Sequence, residues 1–250
     1  MDDTLDADVE QLRHADRNVR GRAALDLGAR GDVRAGEALI RALCTERDPF
    51  VLENVTWALV RVGDAVVPPL IHLLRDTSPS VRHHAAHALS KMRDPRGVDA
   101  LIATLHDHDA TVLAKAAFAL GQLGDARAIP ALVGLLGHES RELQSTLASV
   151  LERFCLPAVP PLVEALKDAR WQVREHAAYI LGVIGSADAV PALVTASHDQ
   201  QWQVRFASVH ALGDLGGERA RQAVQSMHGD SDQRVRSLVE KLLKRAGTRW

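Results

Sequence analysis

The chain has 250 residues, 46% hydrophobic and 25% charged, a composition that excludes a disordered polymer. Its 30 basic and 32 acidic residues leave a formal net charge of −2, which argues against broad nucleic-acid binding, where clustered cations are expected. No apolar run approaches the ~18 residues needed to cross a bilayer, and the opening Met1-Asp2-Asp3-Thr4-Leu5-Asp6 lacks the basic and apolar regions of a signal peptide. A cytoplasmic protein with no membrane contact is expected.

In chain order, Leu5, Val9 and Leu12 fall on one face of an opening helix. From Val19 onward a register residue recurs at Val51, Val81, Val112, Leu143, Val173, Val204 and Val235, spaced by 32, 30, 31, 31, 30, 31 and 31 residues. A fixed period of this length marks stacked repeats, each contacting mainly its neighbours. Three residues before the register mark stand Asp16, Asp48, Ser78, Asp109, Ser140, Arg170, Gln201 and Asp232. Six of these eight can cap a helix by accepting from free backbone N–H groups. Pro49 and Pro79 follow at the first helical position, which needs no N–H.

Each such helix is expected to run about twelve residues, burying the register residue and those four, seven, eight and eleven further on. In the third repeat these are Val81, Ala85, Ala88, Leu89 and Met92. Closure follows at Gly31, Gly63, Gly124, Gly185, Gly216 and Gly247, with Arg93 and Cys155 as exceptions; glycine there can adopt the left-handed conformation that ends a helix. Asp32, Asp64, Asp94 and Asp125 come next and can cap the helix of the following repeat. That first helix has its own apolar column, Ile40, Leu70, Leu101, Leu132, Leu162, Leu193 and Val224, with Pro68, Pro130, Pro160 and Pro191 near its start.

The repeat is therefore a helical hairpin, and eight are expected without a linker, at about 1–31, 32–63, 64–93, 94–124, 125–155, 156–185, 186–216 and 217–250. The fold class is an all-α solenoid, a right-handed superhelix forming one domain over 1–250. The arginines following the register residue, Arg20, Arg82, Arg174, Arg205 and Arg236, are expected to bridge loop aspartates, Arg82 pairing with Asp94. Trp171 and Trp202, in matching Trp-Gln-Val-Arg segments, are expected to pack the loop edge. Cys44 and Cys155 lie in different repeats and read as buried, inert thiols of a reducing compartment. Arg219, Arg221, Arg234, Arg236, Lys241, Lys244, Arg245 and Arg249 make the C-terminal end basic, as a solvated cap.

The segments Val81-Arg82-x-x-Ala85-Ala86-x-Ala88-Leu89, Val173-Arg-Glu-His-Ala-Ala-Tyr-Ile-Leu-Gly182 and Asp125-Ala-Arg-Ala-Ile-Pro-Ala-Leu132 resemble HEAT-like repeats of the phycobilisome-lyase type. The resemblance covers essentially the whole chain. It implies a stack whose second helices line a concave face, in a family that holds bilin lyases, an iron-dependent deoxyhypusine hydroxylase and adaptors.

With capping and core columns assigned to folding, function is sought in the columns left over: two, three and six residues past the register mark. The sixth-position column reads Leu25, Trp57, His87, Phe118, Ser149, Tyr179, His210 and Lys241, rich in rings for a chain with 4% aromatics. The second and third columns supply Glu53, His83, Glu175 and Phe206, and Asn54, His84, Lys115 and His176. Mixed imidazole, aromatic and polar groups of this sort form binding grooves. The candidate groove is thus Glu53, Asn54, Trp57, His83, His84, His87, Lys115, Phe118, Glu175, His176, Tyr179, Phe206 and His210.

His83 and His87, four apart on one helix, can chelate a metal, with Glu53 about 10 Å away on the preceding helix. Deoxyhypusine hydroxylase, within the resemblance, uses several His-Glu pairs at the second and third positions. This sequence offers only His83-His84 and the reversed Glu175-His176, so the iron-binding set is incomplete. The expectation is a protein–protein binding adaptor that requires no cofactor, the alternative being a small-ligand or metal-dependent enzyme or carrier in the same groove. Nucleic acid is disfavoured as a partner.

Overall fold

The computed structural model describes residues 3–246, so Met1, Asp2, the expected closing Gly247 and Arg249 lie outside the described residues. Sixteen α-helices and no strand occupy the described residues. They are α1 (Asp3–Gln11), α2 (Arg17–Arg30), α3 (Gly36–Thr45), α4 (Pro49–Val62), α5 (Val67–Leu73), α6 (Pro79–Met92), α7 (Val98–Thr104) and α8 (Ala110–Leu123). The second half continues with α9 (Ile129–Gly134), α10 (Arg141–Phe154), α11 (Val159–Ala165), α12 (Trp171–Ile184), α13 (Val190–Ala196), α14 (Trp202–Leu215), α15 (Glu218–Ser226) and α16 (Gln233–Ala246). Even-numbered helices are the second helices of the hairpins, and each has 14 residues, slightly longer than the periodicity predicts. The chain forms two compact units, an N-terminal unit of residues 1–125 and a C-terminal unit of 126–250, each an α-solenoid of four hairpins. No single described helix is long and apolar enough to cross a membrane.

The register column is the core. Val51, Val81, Val112, Leu143, Val173, Val204 and Val235 are all buried, and Val19 is half-buried. In the first helices Leu70, Leu101, Leu132, Leu162 and Leu193 are fully buried. The first member differs from expectation: Ile40 is half-exposed and Leu39 takes the buried place. The extra residue that stretches the first spacing to 32 lies between Leu39 and Val51, where α3 is longer, so a count of eleven back from Val51 stops one residue short of Leu39.

Helix starts follow the capping column with one departure. Asp16, Asp48, Asp109 and Ser140 each accept from backbone N–H groups of the helix they open, and Asp232 accepts from Arg234 N–H at 2.8 Å. Ser78 makes no such bond; its own N–H donates to Asp76 at 2.8 Å, a loop bond that recurs at Asp107–Asp109 and Asp230–Asp232. Asp32 and Asp94 cap the short 3₁₀ turns that lead into α3 and α7. Asp64 does not, because it lies inside its own 3₁₀ turn, where its exposed carboxylate meets Arg96 at 3.5 Å.

The arginine column ties loops together with a different partner from the one expected. Arg82 donates Nε to Asp107 at 2.6 Å and Nη2 at 2.8 Å, and its Nη1 reaches the carbonyls of Asp76 and Thr77. Asp94 is engaged by Arg96 and caps its own turn. The same fork joins Arg174 to Asp199 and Arg205 to Asp230, each aspartate 25 residues downstream of its arginine, and Arg20 joins Glu46.

Helix closure explains the two non-glycine exceptions. Arg93 (φ 53°) and Cys155 (φ 55°) are the positive-φ residues other than glycine among those described. Arg93 has ordinary left-handed geometry, ψ 34°, and donates to Gln122 Oε1 at 2.7 Å. Cys155, at ψ −129°, adopts a conformation it shares with Gly63 and Gly216 and which side chains disfavour. Its thiol is exposed, not buried as expected, and Cys44 is half-buried; both are free. Cys155→Gly is expected to raise stability by about 1 kcal/mol, relieved strain exceeding the added freedom of the unfolded chain. Equal or lower urea midpoints for the variant would contradict this account.

Except at α14–α16, where Gly213 faces the Leu242 side chain and packing is less extensive, the spacing of neighbouring second helices within each unit follows the residue nine past the register mark. There α2 has Gly28, where a Cβ would come within 2.8 Å of Ala58 Cα, and α12 has Gly182, where it would come within 2.9 Å of Ala211 Cα. α6 has a buried Ser90. The pairs α2–α4, α6–α8 and α12–α14 accordingly pack most extensively. α4 carries Val60 and α10 carries Glu152 at this position. These two helices pack far less on α6 and α12, and a recess opens at each seam, about 290 Å³ at α4–α6 and about 330 Å³ at α10–α12.

Candidate functional site

The sixth-position column emerges on the surface. Trp57 is 43% exposed, Phe118 39% and Tyr179 53%. Trp57 also packs: its ring covers the space a Cβ on Gly28 would need, at 2.5 Å. The Lys115 ammonium lies 5.6 Å from the Phe118 ring centroid, within cation–π range.

In the N-terminal unit the structure brings Glu53, His84 and His87 together around the α4–α6 recess, with Arg47, Thr56 and Ser80 also on its wall. His87 Nε2–H donates to Glu53 Oε2 at 3.2 Å, and Lys91 Nζ approaches Glu53 Oε1 at 3.7 Å. The bond from His87 holds the Glu53 carboxyl below its usual range. Burial, only partly opposed by Glu53, lowers the His87 pKa, so this imidazole is neutral at physiological pH. Burial first, and then the basic neighbours His83, His87, Arg47 and Lys115, push His84 down to about 4. The Nδ1 atoms of both His84 and His87 are buried without a hydrogen-bond partner.

His83 turns away from this group. Its Nδ1 is 3.3 Å from the Thr111 carbonyl at the start of α8, and its ring meets His84 edge-on at 5.6 Å. Despite their spacing, His83 and His87 thus turn to different partners, the Thr111 carbonyl and Glu53. Among the described residues no group of three or more His, Cys, Asp or Glu is placed to hold a metal. Asn54 serves the helix stack, donating Nδ2 to the Gly21 carbonyl at 3.3 Å.

In the C-terminal unit the structure brings His176 and Tyr179 to one recess but sends Phe206 and His210 to other partners. His176 Nδ1 accepts the N–H of Gly137 at 3.2 Å, which needs the neutral ring that its burial favours. His210 pairs with Asp214 of its own helix at 3.1 Å. Phe206 meets Trp202 edge-on at 6.4 Å, and the Arg234 guanidinium lies 3.3 Å from the centre of the Trp202 ring. Glu175 is half-buried with no hydrogen-bond or ion-pair partner among the described residues, and burial raises its pKa. Tyr179 and His176 line the α10–α12 recess with Gln144, Ser149, Glu152 and Val183. Trp171 lines a separate loop-edge pocket of about 630 Å³.

Sequence reasoning overlooked the position ten past the register mark, where Arg61, Lys91, Gln122, Arg153, Val183 and Asp214 stand. At 100° per residue it lies between the third and sixth positions, in the middle of the exposed face. The interrupted small-residue column at Val60 and Glu152 was the available signal for the recesses.

A comparison with curated proteins finds no match. Among solved structures, the chain is similar to human deoxyhypusine hydroxylase in complex with glycerol, at 21% identity over 98% of this chain and 96% of that one, with a TM-score of 0.43. It is similar to the CpcE–CpcF complex of phycocyanin lyase from Nostoc sp. PCC7120, at 25% identity over 95% and 94% of the two chains, TM-score 0.46. A chain from the structural basis of microtubule plus-end tracking by XMAP215, CLIP-170 and EB1 matches at 16% identity over 71% of this chain and 89% of that one, TM-score 0.58, and shares the fold. A family model of HEAT repeats matches residues 5–73, 61–117, 98–168 and 159–244, in line with the hairpins and columns described above. By that match over most of its length, the chain belongs to the HEAT-repeat family.

Proposed function

We propose that the protein is a non-catalytic adaptor, its eight hairpins acting as one domain that captures a protein partner on the exposed face of the second helices. The observation that carries this reading is the repeated exposure of large rings, Trp57, Phe118 and Tyr179, at one repeat position. Exposed aromatics that sit among polar groups are the residues that dominate protein–protein contacts. Two of the polar groups beside them, Asn54 and His176, are tied into the scaffold by bonds to the Gly21 carbonyl and the Gly137 N–H.

The test is affinity capture from the native host with the wild type and with Phe118→Ser and Tyr179→Ser, both at exposed positions. A specific partner should be lost from the variants, each ring contributing about 2 kcal/mol or more, while far-UV circular dichroism stays unchanged. Trp57→Ala adds information only with its stability measured, since that ring also covers Gly28. Retention of the partner by both serine variants would refute the assignment of the face.

A second reading, a small polar ligand in the α4–α6 recess, is favoured by the buried, unpartnered Nδ1 atoms of His84 and His87. Native mass spectrometry before and after exhaustive desalting separates the two readings. A reproducible mass excess that disappears in His84→Ala supports the ligand; a bare chain mass at every stage counts against it.

A further inference from the structure

The second-helix face of the N-terminal unit has a distinct charge. At the second, third, sixth and tenth positions of α4, α6 and α8 it carries Arg61, Lys91 and Lys115, with Glu53 the sole acid. Glu53 is already shared between His87 and Lys91. Arg61 is exposed and has no ion-pair partner among the described residues, and Arg47, also exposed, adds a further cation on the wall of the recess. In the C-terminal unit the corresponding cations, Arg153, Lys241 and Arg245, are confined to α10 and α16, while α12 and α14 between them hold no Lys or Arg and include Glu175 and Asp214. Arg47 and Lys115 are also felt at His84, whose pKa is lowered by burial first, then by His83 and His87, and then by these two cations. Trp57 and Phe118 stand exposed on α4 and α8, the helices on either side of α6 with its Lys91.

We infer that this face of the N-terminal unit receives an acidic segment of the protein partner, its carboxylates meeting Arg61, Lys91 and Lys115 and an apolar side chain resting against Trp57. The inference rests on the adaptor reading and names the chemistry of its partner. Charge complementarity carries it: a cationic face with apolar rings rejects a basic peptide and gains from an acidic one. Rings and cations together also suit single-stranded RNA. Yet the exposed Glu53 carboxylate lies 3.7 Å from Lys91, where a phosphate chain held by that lysine would meet it. An acidic peptide can place a neutral residue there.

The experiment is fluorescence anisotropy on the full chain with three labelled probes. One is a short peptide of alternating Glu and Leu, the second the same peptide with Lys for Glu, and the third an oligouridine of equal length. The acidic peptide should bind in preference to both others, and Arg61→Glu with Lys91→Glu should weaken it about tenfold or more, as loss and reversal of two exposed pairs implies. Arg153→Glu, an exposed cation at the tenth position of α10, should leave binding unchanged and controls for overall charge. Absence of binding to the acidic peptide, preference for the lysine peptide or the RNA, or equal binding by the doubly reversed variant would each overturn the inference. If those results came with partner capture still lost in Phe118→Ser and Tyr179→Ser, the adaptor reading would survive and only the acidic partner would fall.

Discussion

Arg205→Ala is expected to destabilise the C-terminal unit by about 3–5 kcal/mol, the range for breaking a buried ion pair from one side. Arg205 and Asp230 are 11% and 4% exposed, and the guanidinium makes a two-point fork at 2.7 and 2.9 Å. Its Nη1 also donates to the carbonyls of Asp199 and Gln200. Alanine therefore leaves a buried carboxylate and two loop carbonyls without their donor. Lysine is not expected to rescue, because an ammonium on a flexible stem cannot span carboxylate and carbonyls in one plane. Urea unfolding of Arg205→Ala, Arg205→Lys and Asp230→Ala measures the loss; values under about 1 kcal/mol would show the ladder to be ornamental.

The same pairs set the acid limit. Arg205 holds Asp230 below its ordinary pKa. Burial alone would raise Glu46, but the Arg20 fork and the backbone N–H groups of Asp48 and Arg47 bring it from 4.5 down to about 2. A carboxylate with a lowered folded pKa contributes stability that is complete above its unfolded value and is lost as pH falls through the folded one. Stability should therefore fall between about pH 4.5 and pH 2, and Arg20→Gln should flatten that dependence in the N-terminal unit.

Gly182→Leu is expected to cost about 3 kcal/mol, at the upper end for overpacking, although leucine is the better helix former. The obstacle is backbone: a Cβ there stands 2.8 Å from Ala211 Cβ and 2.9 Å from its Cα, so α12 and α14 must separate. Glu152 holds the equivalent place in α10 and is exposed on the α10–α12 recess. Glu152→Leu should change stability by no more than about 0.5 kcal/mol, as surface substitutions do. Comparable losses at the two positions would contradict the assignment of this column to helix spacing.

Much of this architecture was legible in the sequence because it rests on local, repeated chemistry. Register valines, capping aspartates and closing glycines recur every thirty-odd residues, and even Arg93 and Cys155 stood out as interruptions of the glycine column. Pairings between loops were harder. Proximity in sequence points Arg82 to Asp94, whereas its partner Asp107 lies beyond a further helix, and nothing in the spacing ranks one aspartate over the other. The site was legible as a set of columns but not as contacts. Glu53 and His87 share a repeat position class with Glu175 and His210, yet the first two join across helices while His210 turns to Asp214 on its own helix. Side-chain direction and neighbour spacing decide such outcomes, and both depend on whether a glycine or a valine sits nine residues along.

The alternation of tight and open seams has a mechanical consequence. In a linear array, cooperativity is the product of nearest-neighbour couplings, and the weakest coupling fixes where the array comes apart. The seams at Val60 and Glu152 are the compliant joints of their units, while those at Gly28 and Gly182 are stiff. Thermal fluctuation should therefore concentrate at α4–α6 and α10–α12, giving their amides the fastest sub-global hydrogen exchange. A partner seated across a compliant joint would lose some of its binding energy to stiffening it, and one seated on α12–α14 would meet a surface already rigid.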